Sequence, residues 1–171
     1  MKDMVNKTPE ADRWLYVATA LYFVMNGAQL WETALMVPAW TAGPPASLFF
    51  FKTEYGLDFR LFWIIVHSVH EVFLLLALFF NWQIRQSRNS MIVLLAMHIA
   101  LRVWTLQYFA PTLMTFMAVE VRPVVDPVLL EKATLWKNLN YLRVGLYILV
   151  NLGFVFICGI KKDYPLQKPA L

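Results

Sequence analysis

Four long apolar segments dominate this chain, at roughly residues 14–38, 59–82, 90–116 and 136–160. Each segment is long enough to cross about 30 Å of hydrocarbon as a helix that rises about 1.5 Å per residue. Apolar residues surround each segment on nearly every side, unlike the single apolar stripe of a helix in a water-soluble protein. We therefore predict an all-α integral membrane protein in which residues 1–171 form one multi-pass domain.

Composition agrees with a membrane location and excludes several classes of function. Hydrophobic residues make up 60% of the 171 residues, and the mean hydropathy is +0.54, which is high for a soluble domain. The net charge of +4 comes from short segments next to the apolar ones, so we expect a lipid bilayer and no nucleic acid as partner. The single cysteine, Cys158, excludes an internal disulfide and thiol-pair redox chemistry within one chain.

Ionisable residues interrupt the apolar segments, and all three histidines of the chain are among them. Such groups are costly at membrane depth, so they usually face the protein interior and have a function. They are Glu32, His67, His70, Glu71, His98, Arg102 and Arg143.

Helical spacing places polar residues on one stripe of each segment. Four polar stripes in lipid are satisfied by facing one another, which predicts a four-helix bundle with a polar core. The stripes contain Gln29 and Glu32 on the first segment; Trp63, His67, His70 and Glu71 on the second; His98, Arg102, Thr105 and Thr112, with Tyr108 beside them, on the third; and Asn140, Arg143 and Tyr147 on the fourth.

The charged residues of the core allow several interpretations. Glu32 could pair with Arg143, and Glu71 with Arg102, since buried ions require partners. The histidines could hold iron, copper or zinc, with His70, His98 and Glu71 as ligands, or His67, His70 and His98. A haem between His70 and His98 is a further alternative. A metal-free ligand pocket and inert polar packing also remain open.

Three short motifs resemble a known family. Residues 27–38 read G-x-x-x-W-E-x-x-x-x-x-P, residues 108–114 read YFAPTLM, and residues 136–143 read WKNLNYLR, with Asn140 and Arg143 as an N-x-x-R pair. These motifs resemble the anthrone-oxygenase-like family of small four-helix membrane proteins. The resemblance covers most of residues 14–160 and implies oxidation of a hydrophobic polycyclic phenol by molecular oxygen.

The first functional hypothesis is therefore a membrane oxidoreductase for a lipophilic aromatic, phenolic or quinone-like substrate. Arg102 and Arg143 would hold a phenolate or carbonyl oxygen. His67 or His70 would act as general base, oriented by Glu32 or Glu71. Residues expected to contact the substrate are Gln29, Trp63, Tyr108, Asn140 and Tyr147.

Two other classes of function remain open. The chain could be a non-enzymatic ligand-binding or transport protein whose polar core accepts a small anion or a lipid head group. It could also be a haem-binding electron-transfer subunit. A homo-oligomer is compatible with each of these hypotheses.

The distribution of Lys and Arg predicts the orientation in the membrane. Eight of them lie in the N-terminal arm, the 81–90 turn and the C-terminal tail, against five on the other side. Because positive residues favour the cytoplasmic side, we expect both termini to be cytoplasmic, in the plasma or inner membrane.

This orientation predicts the outcome of cysteine labelling from outside the cell. In a Cys158→Ala background, a membrane-impermeant thiol reagent should label a Lys52→Cys variant, because residues 41–58 are expected outside. The reagent should leave a Gln86→Cys variant unlabelled until the membrane is opened. Labelling of Gln86→Cys in intact cells would reverse the orientation.

Overall fold

Helices form every regular element in the part of the chain that the structure describes. The structure is a computed structural model that describes residues 2–52 and 59–162, with side chains for residues 9–52 and 59–159. Within these ranges there is no strand, which confirms the predicted all-α class.

Six α-helices, two π-helical turns and one 3₁₀ helix form the regular structure of the described residues. From the N-terminus, the elements are α1 (Lys2–Trp31), the π-helical turn π1 (Glu32–Met36), the short helix α2 (Val37–Thr41), a 3₁₀ helix (Ala46–Phe51), α3 (Arg60–Phe80), α4 (Arg85–Trp104), the π-helical turn π2 (Thr105–Phe109), α5 (Ala110–Ala118) and α6 (Pro127–Lys162).

Three helical stretches of the described chain are long and apolar enough to cross a membrane, which supports the predicted membrane location. They are Arg60–Phe80, Arg85–Ala118 and Pro127–Gly159. The first predicted segment is not among them. It is less apolar because Asn26 and Gln29 interrupt it.

Pro38 and Pro111 both lie within helical structure. The first predicted segment ends at Pro38, whereas helical structure continues to Thr41, and Pro111 lies within the helical stretch that ends at Ala118. A proline lacks an N–H group and its ring collides with the carbonyl group four residues earlier. Each proline follows a π-helical turn, whose extra residue provides room for the ring.

Helix α6 begins earlier than the fourth predicted segment. It begins at Pro127 rather than at about residue 136. The Asp126 carboxylate accepts hydrogen bonds from the backbone N–H groups of Val128 (2.8 Å) and Leu129 (3.2 Å). An Asp before a Pro is a typical helix start, so this signal was present in the sequence. Similarly, α4 begins at Arg85 rather than at residue 90.

The helices do not pack equally closely. Helix α1 packs against α3 and α6, and α4 packs against α6, whereas α3 and α4 share few contacts. Leu94 of α4 lies against Gly153 of α6, where a Cβ atom would come within 2.6 Å of the Leu94 Cδ2 atom. A small residue at this point lets the two helices approach closely.

Two apolar clusters enclose the polar residues. The first cluster lies toward the N-terminal half of α1 and includes Leu15, Ala18, Leu74, Ala77, Met91, Phe154 and Ile157. The second cluster lies toward the other end and includes Val37, Trp40, Leu48, Phe109, Phe116, Ala133 and Trp136. Polar residues such as Asn26, Gln29 and Asn140 are buried at positions of α1 and α6 that lie between them.

The Asp126 cap gives a stability prediction. Asp126→Ala should lower the free energy of unfolding by about 1 kcal/mol, because two backbone N–H groups at the start of α6 lose their acceptor. Glu131→Ala is the matched control, since it removes the same charge from an exposed position on the same helix. Reversible unfolding in mixed micelles would measure both. If both substitutions lowered the free energy of unfolding equally, the loss of a negative charge, rather than the loss of the helix cap, would be the cause.

Candidate functional site in a cavity between α3 and α5

A cavity of about 310 Å³ lies among α1, α3, α6 and the π2–α5 region. It reaches the protein surface between α3 and α5, where its wall includes the exposed side chains of Ile64, Leu106 and Met114. The volume is that of a small-molecule site. This opening faces sideways, along the apolar surface of the helices.

Most of the cavity wall is apolar, and a few polar groups converge on it. The apolar part includes Phe51, Phe59, Trp63, Phe109, Leu113, Met117 and Trp136. The polar part consists of Gln29, Glu32, Arg60, His67, Arg102, Thr105 and Arg143. An apolar pocket with a small set of polar groups is the usual form of a ligand site, since the polar groups fix the orientation of the ligand.

Arg143 is held in the cavity wall by neutral groups. Its guanidinium donates to the Thr105 hydroxyl oxygen (3.2 Å) and to the Asn140 side-chain oxygen (2.6 Å). The guanidinium carbon lies 4.1 Å from the centre of the Phe109 ring, which is a cation–π contact. The buried Nε–H group has no acceptor among the described residues. Arg143 therefore keeps most of its positive charge uncompensated by its direct contacts.

The predicted pairing of Glu32 with Arg143 is wrong as a direct contact. Among the residues whose side chains are described, no carboxylate lies within ion-pair distance of Arg143. Glu32 is close enough to interact with Arg143 through space, and the Trp63 side chain lies against its carboxyl group. The Thr105 hydroxyl on a neighbouring helical stretch and the Asn140 amide on the same helix bind the guanidinium instead, and both charged groups lie on the cavity wall.

The predicted pairing of Glu71 with Arg102 is confirmed. Arg102 Nε donates to the Glu71 carboxylate at 2.8 Å. The same carboxylate oxygen lies 4.0 Å from His98 Nε2. Arg102 also lines the cavity, so the ion pair with Glu71 holds this part of the cavity wall in place.

The three histidines occupy two different environments. His67 lines the cavity, and its Nδ1 atom has no hydrogen-bond partner among the described residues. His70 and His98 lie deeper, with ring centres 5.3 Å apart. Tyr22 packs against both rings, and its hydroxyl group is hydrogen-bonded to His98 Nδ1 at 2.9 Å. His70 therefore lies behind the cavity wall rather than on it.

The positions of His70 and His98 can be compared with the predicted metal and haem sites. Among the described residues, no three His, Cys, Asp or Glu side chains are grouped as ligands of a metal ion. Tyr22 fills the space beside His70 and His98, and the rings are in contact with it. Metal binding by His70, His98 and Glu71 stays a prediction, which elemental analysis of the purified protein would test.

Only part of the predicted site lines the cavity. Six of the predicted residues do so, namely Gln29, Glu32, Trp63, His67, Arg102 and Arg143. Tyr108, Asn140 and Tyr147, predicted as substrate contacts, do not. Asn140 lies behind Arg143 and binds it. Tyr147 is buried in the first cluster.

Phe109, rather than the predicted Tyr108, lines the cavity. Phe109 follows Thr105 by four residues and His98 by eleven, so regular helical spacing places it on the same face as these two residues. Phe109 and Phe116 are almost fully buried, whereas Tyr108 and Thr112 are only partly buried. The signal for Phe109 was therefore present in the sequence, but a stripe chosen for its polar residues left this aromatic residue out. Arg60 was also missed, although it is an arginine at the start of an apolar segment.

Comparison of the chain with protein-family models, curated proteins and solved structures gives no match. The cavity itself is therefore the main basis for a proposed function.

The Glu71–Arg102 pair should be measurable as an energetic coupling. A double-mutant cycle with Glu71→Gln and Arg102→Gln should give a coupling energy of about 1 kcal/mol, since the pair is short but Glu71 is partly exposed. Glu71→Gln combined with Arg88→Gln is the control, because Arg88 contacts Trp82 and Asn89 instead. Equal coupling in both cycles would show a general charge effect.

Proposed function

We propose that this protein is a membrane-embedded oxidoreductase that binds a lipophilic aromatic molecule carrying a phenolic or carbonyl oxygen. The observation that supports this most strongly is Arg143. It is a partly buried cation with neutral partners, and it faces an apolar cavity that opens sideways. The resemblance to anthrone-oxygenase-like proteins suggests the substrate class.

The proposed architecture is a bundle of four membrane crossings with a polar interior. Helix α1 with π1 and α2 supplies the fourth crossing, because it packs against α3 and α6. Its polar residues Asn26 and Gln29 are buried, which lowers the cost of placing this helix in lipid. Both termini would be cytoplasmic.

The charge of Arg143 favours an oxyanion as ligand. A cation in a low-dielectric cavity attracts negative charge more strongly than in water. Thr105 and Asn140 orient the guanidinium without neutralising it, so its charge remains available to a phenolate or enolate oxygen. Arg102 is less available because Glu71 binds it at 2.8 Å.

The apolar wall suits a flat aromatic ring system. Trp63, Phe109 and Trp136 contribute three aromatic side chains to the cavity, and aromatic pairs favour stacked or edge-to-face contacts. The exposed mouth at Ile64, Leu106 and Met114 would admit such a ligand directly from the bilayer.

His67 is the proposed general base. Its imidazole ring lines the same cavity as Arg143, so it is placed to accept a proton from a bound substrate. For anthrone, loss of a proton from the ring CH₂ group moves the electron pair onto the carbonyl oxygen. Arg143 would stabilise the resulting negative charge.

Molecular oxygen is the proposed oxidant. The carbanion reacts with O₂, and the carbon atom becomes a carbonyl group while the second oxygen atom leaves as water. The balance is CH₂ + O₂ → C=O + H₂O, in which the carbon loses four electrons and O₂ gains them. His67 returns its proton to the departing oxygen.

Non-enzymatic ligand binding is the second candidate, because the same cavity would bind the ligand without reaction. Transport receives less support, since the first cluster packs apolar side chains across the N-terminal end of the bundle. A transport path would have to pass through this cluster.

Oxidation of anthrone and binding of its product, anthraquinone, should separate binding from chemistry. His67→Phe should lower the oxidation rate at least 100-fold, since general bases contribute about 10²–10⁴, while the Kd for anthraquinone changes less than threefold. Met114→Trp should weaken binding by filling the mouth of the cavity. Leu149→Trp is the control, because Leu149 is exposed on α6 away from the cavity.

Each outcome has a defined consequence. Wild-type protein that binds anthraquinone but does not oxidise anthrone in the presence of O₂ would favour the non-enzymatic candidate. Oxidation that persists at the wild-type rate in His67→Phe would remove His67 as the base. Binding that is unaffected by Met114→Trp would place the ligand elsewhere.

A further inference from the structure

The two π-helical turns have the same relation to a proline and to the cavity. In π1, the Val37 N–H group donates to the Glu32 carbonyl oxygen, and in π2 the Ala110 N–H group donates to the Thr105 carbonyl oxygen. Pro38 and Pro111 follow the first residue of their turns at the same distance, since 38 − 32 and 111 − 105 are both 6. Each turn also begins with a residue of the cavity wall, Glu32 or Thr105.

Two residues of α6 connect these turns. Asn140 and Arg143 are three residues apart and share one face of the helix. Asn140 Nδ2 donates to the Thr33 hydroxyl oxygen in π1 at 3.0 Å, and Arg143 donates to the Thr105 hydroxyl oxygen in π2 at 3.2 Å. The Asn140 side-chain oxygen accepts a hydrogen bond from Arg143 at 2.6 Å. A continuous chain of side-chain hydrogen bonds therefore joins Thr33, Asn140, Arg143 and Thr105.

We propose that Asn140 is a positioning residue that sets the distance between π1 and π2, and thereby places Glu32 and Arg143 on the cavity wall. This inference rests on the proposed function of the cavity. Asn140 does not line the cavity itself, so it acts through Thr33 and Arg143. Together, Asn140 and Arg143 form a latch between the two turns.

The chemistry of the asparagine side chain fits this position. An amide is both donor and acceptor, and here the donor serves π1 while the acceptor serves Arg143. A carboxylate at this position would neutralise Arg143, and an aliphatic side chain would bind neither partner. Asn140 is 1% exposed. Its amide group is therefore closed off from any outside hydrogen-bonding partner, and a hydrogen bond lost there is not replaced.

The π-turns are the part of each helix that needs such support. A π-turn followed by proline has fewer regular backbone hydrogen bonds than an uninterrupted α-helix, because proline has no N–H group. Such a point in a helix is a common place of bending. Both turns lie on the cavity wall, so bending there would move Glu32 or Thr105 relative to the ligand. The latch fixes both turns to α6, which has regular helical structure at these positions.

Substitutions of Thr33 test the latch without touching the cavity wall. Thr33→Val keeps the shape of the side chain and removes the acceptor of the Asn140 hydrogen bond. It should lower kcat for anthrone oxidation about tenfold, because small displacements of reacting groups have large effects on rate. The Kd for anthraquinone should change less than twofold. Thr33→Ser, which keeps the hydroxyl group, should restore kcat.

Thr41→Val is the matched control. Thr41 is buried on the same continuous helical stretch, and its hydroxyl group donates to the carbonyl oxygens of Val37 and Pro38 in its own helix. Its replacement should leave kcat within twofold of wild type. Equal losses for Thr33→Val and Thr41→Val would assign the effect to packing and overturn the inference, as would a wild-type kcat in Thr33→Val.

A distance measurement tests the latch independently of any reaction. Spin labels on Leu35→Cys and Val103→Cys, both exposed and close to π1 and π2, would be introduced in a Cys158→Ala background in lipid nanodiscs. Asn140→Leu should broaden the distance distribution between them, and Thr41→Val should not. An unchanged distribution in Asn140→Leu would overturn the latch. Inactive wild-type protein with a broadened Asn140→Leu distribution would overturn only the proposed oxidoreductase function.

Discussion

Hydrogen-bonding groups enclosed by apolar side chains and lipid must find their partners within the protein. This constraint accounts for the main polar contacts of the interior, although some buried atoms, such as both ring nitrogens of His70, have no partner among the described residues. Thr33, Asn140, Arg143 and Thr105 satisfy one another across three helical stretches, and Glu71 pairs with Arg102. In water such contacts would compete with solvent and contribute little. In lipid they determine which helix faces can meet.

The position of the cavity follows from the same constraint. Helix α1 brings Asn26 and Gln29 inward, π1 brings Thr33, and α6 brings Asn140 and Arg143. Helices α1 and α6 therefore pack closely. The face of α3 toward α5 offers mainly bulky apolar side chains, among them Trp63 and Ile64. The gap between α3 and α5 can therefore remain open at little energetic cost, since apolar atoms there lose nothing by facing lipid.

The amino-acid sequence predicts the helical class and the inward-facing stripes well, because hydropathy and helical spacing are local properties. It predicts Gln29, Glu32, Trp63, His67, Arg102 and Arg143 on one interior surface, and the structure places all six on the cavity wall. It fails to single out Phe109, which is buried and lines the cavity. Phe109 has the same helical spacing as the polar residues His98 and Thr105, but a stripe chosen for polarity leaves an aromatic side chain out. Pairing by charge also assigned Arg143 to Glu32, although the N-x-x-R motif already places the neutral Asn140 three residues from Arg143 on the same helix face. Only Thr105, on another helical stretch, lay beyond local spacing.

Under the proposed function, the sideways opening would make the bilayer the first filter for ligands. A molecule would reach the mouth at Ile64, Leu106 and Met114 only after it had dissolved in the membrane, and each CH₂ group removed from water favours that transfer by about 0.8 kcal/mol. Two compounds with the same fit to the cavity would then differ in apparent affinity according to their solubility in lipid. The volume of the surrounding membrane, rather than that of the aqueous phase, would set the effective ligand concentration at the protein.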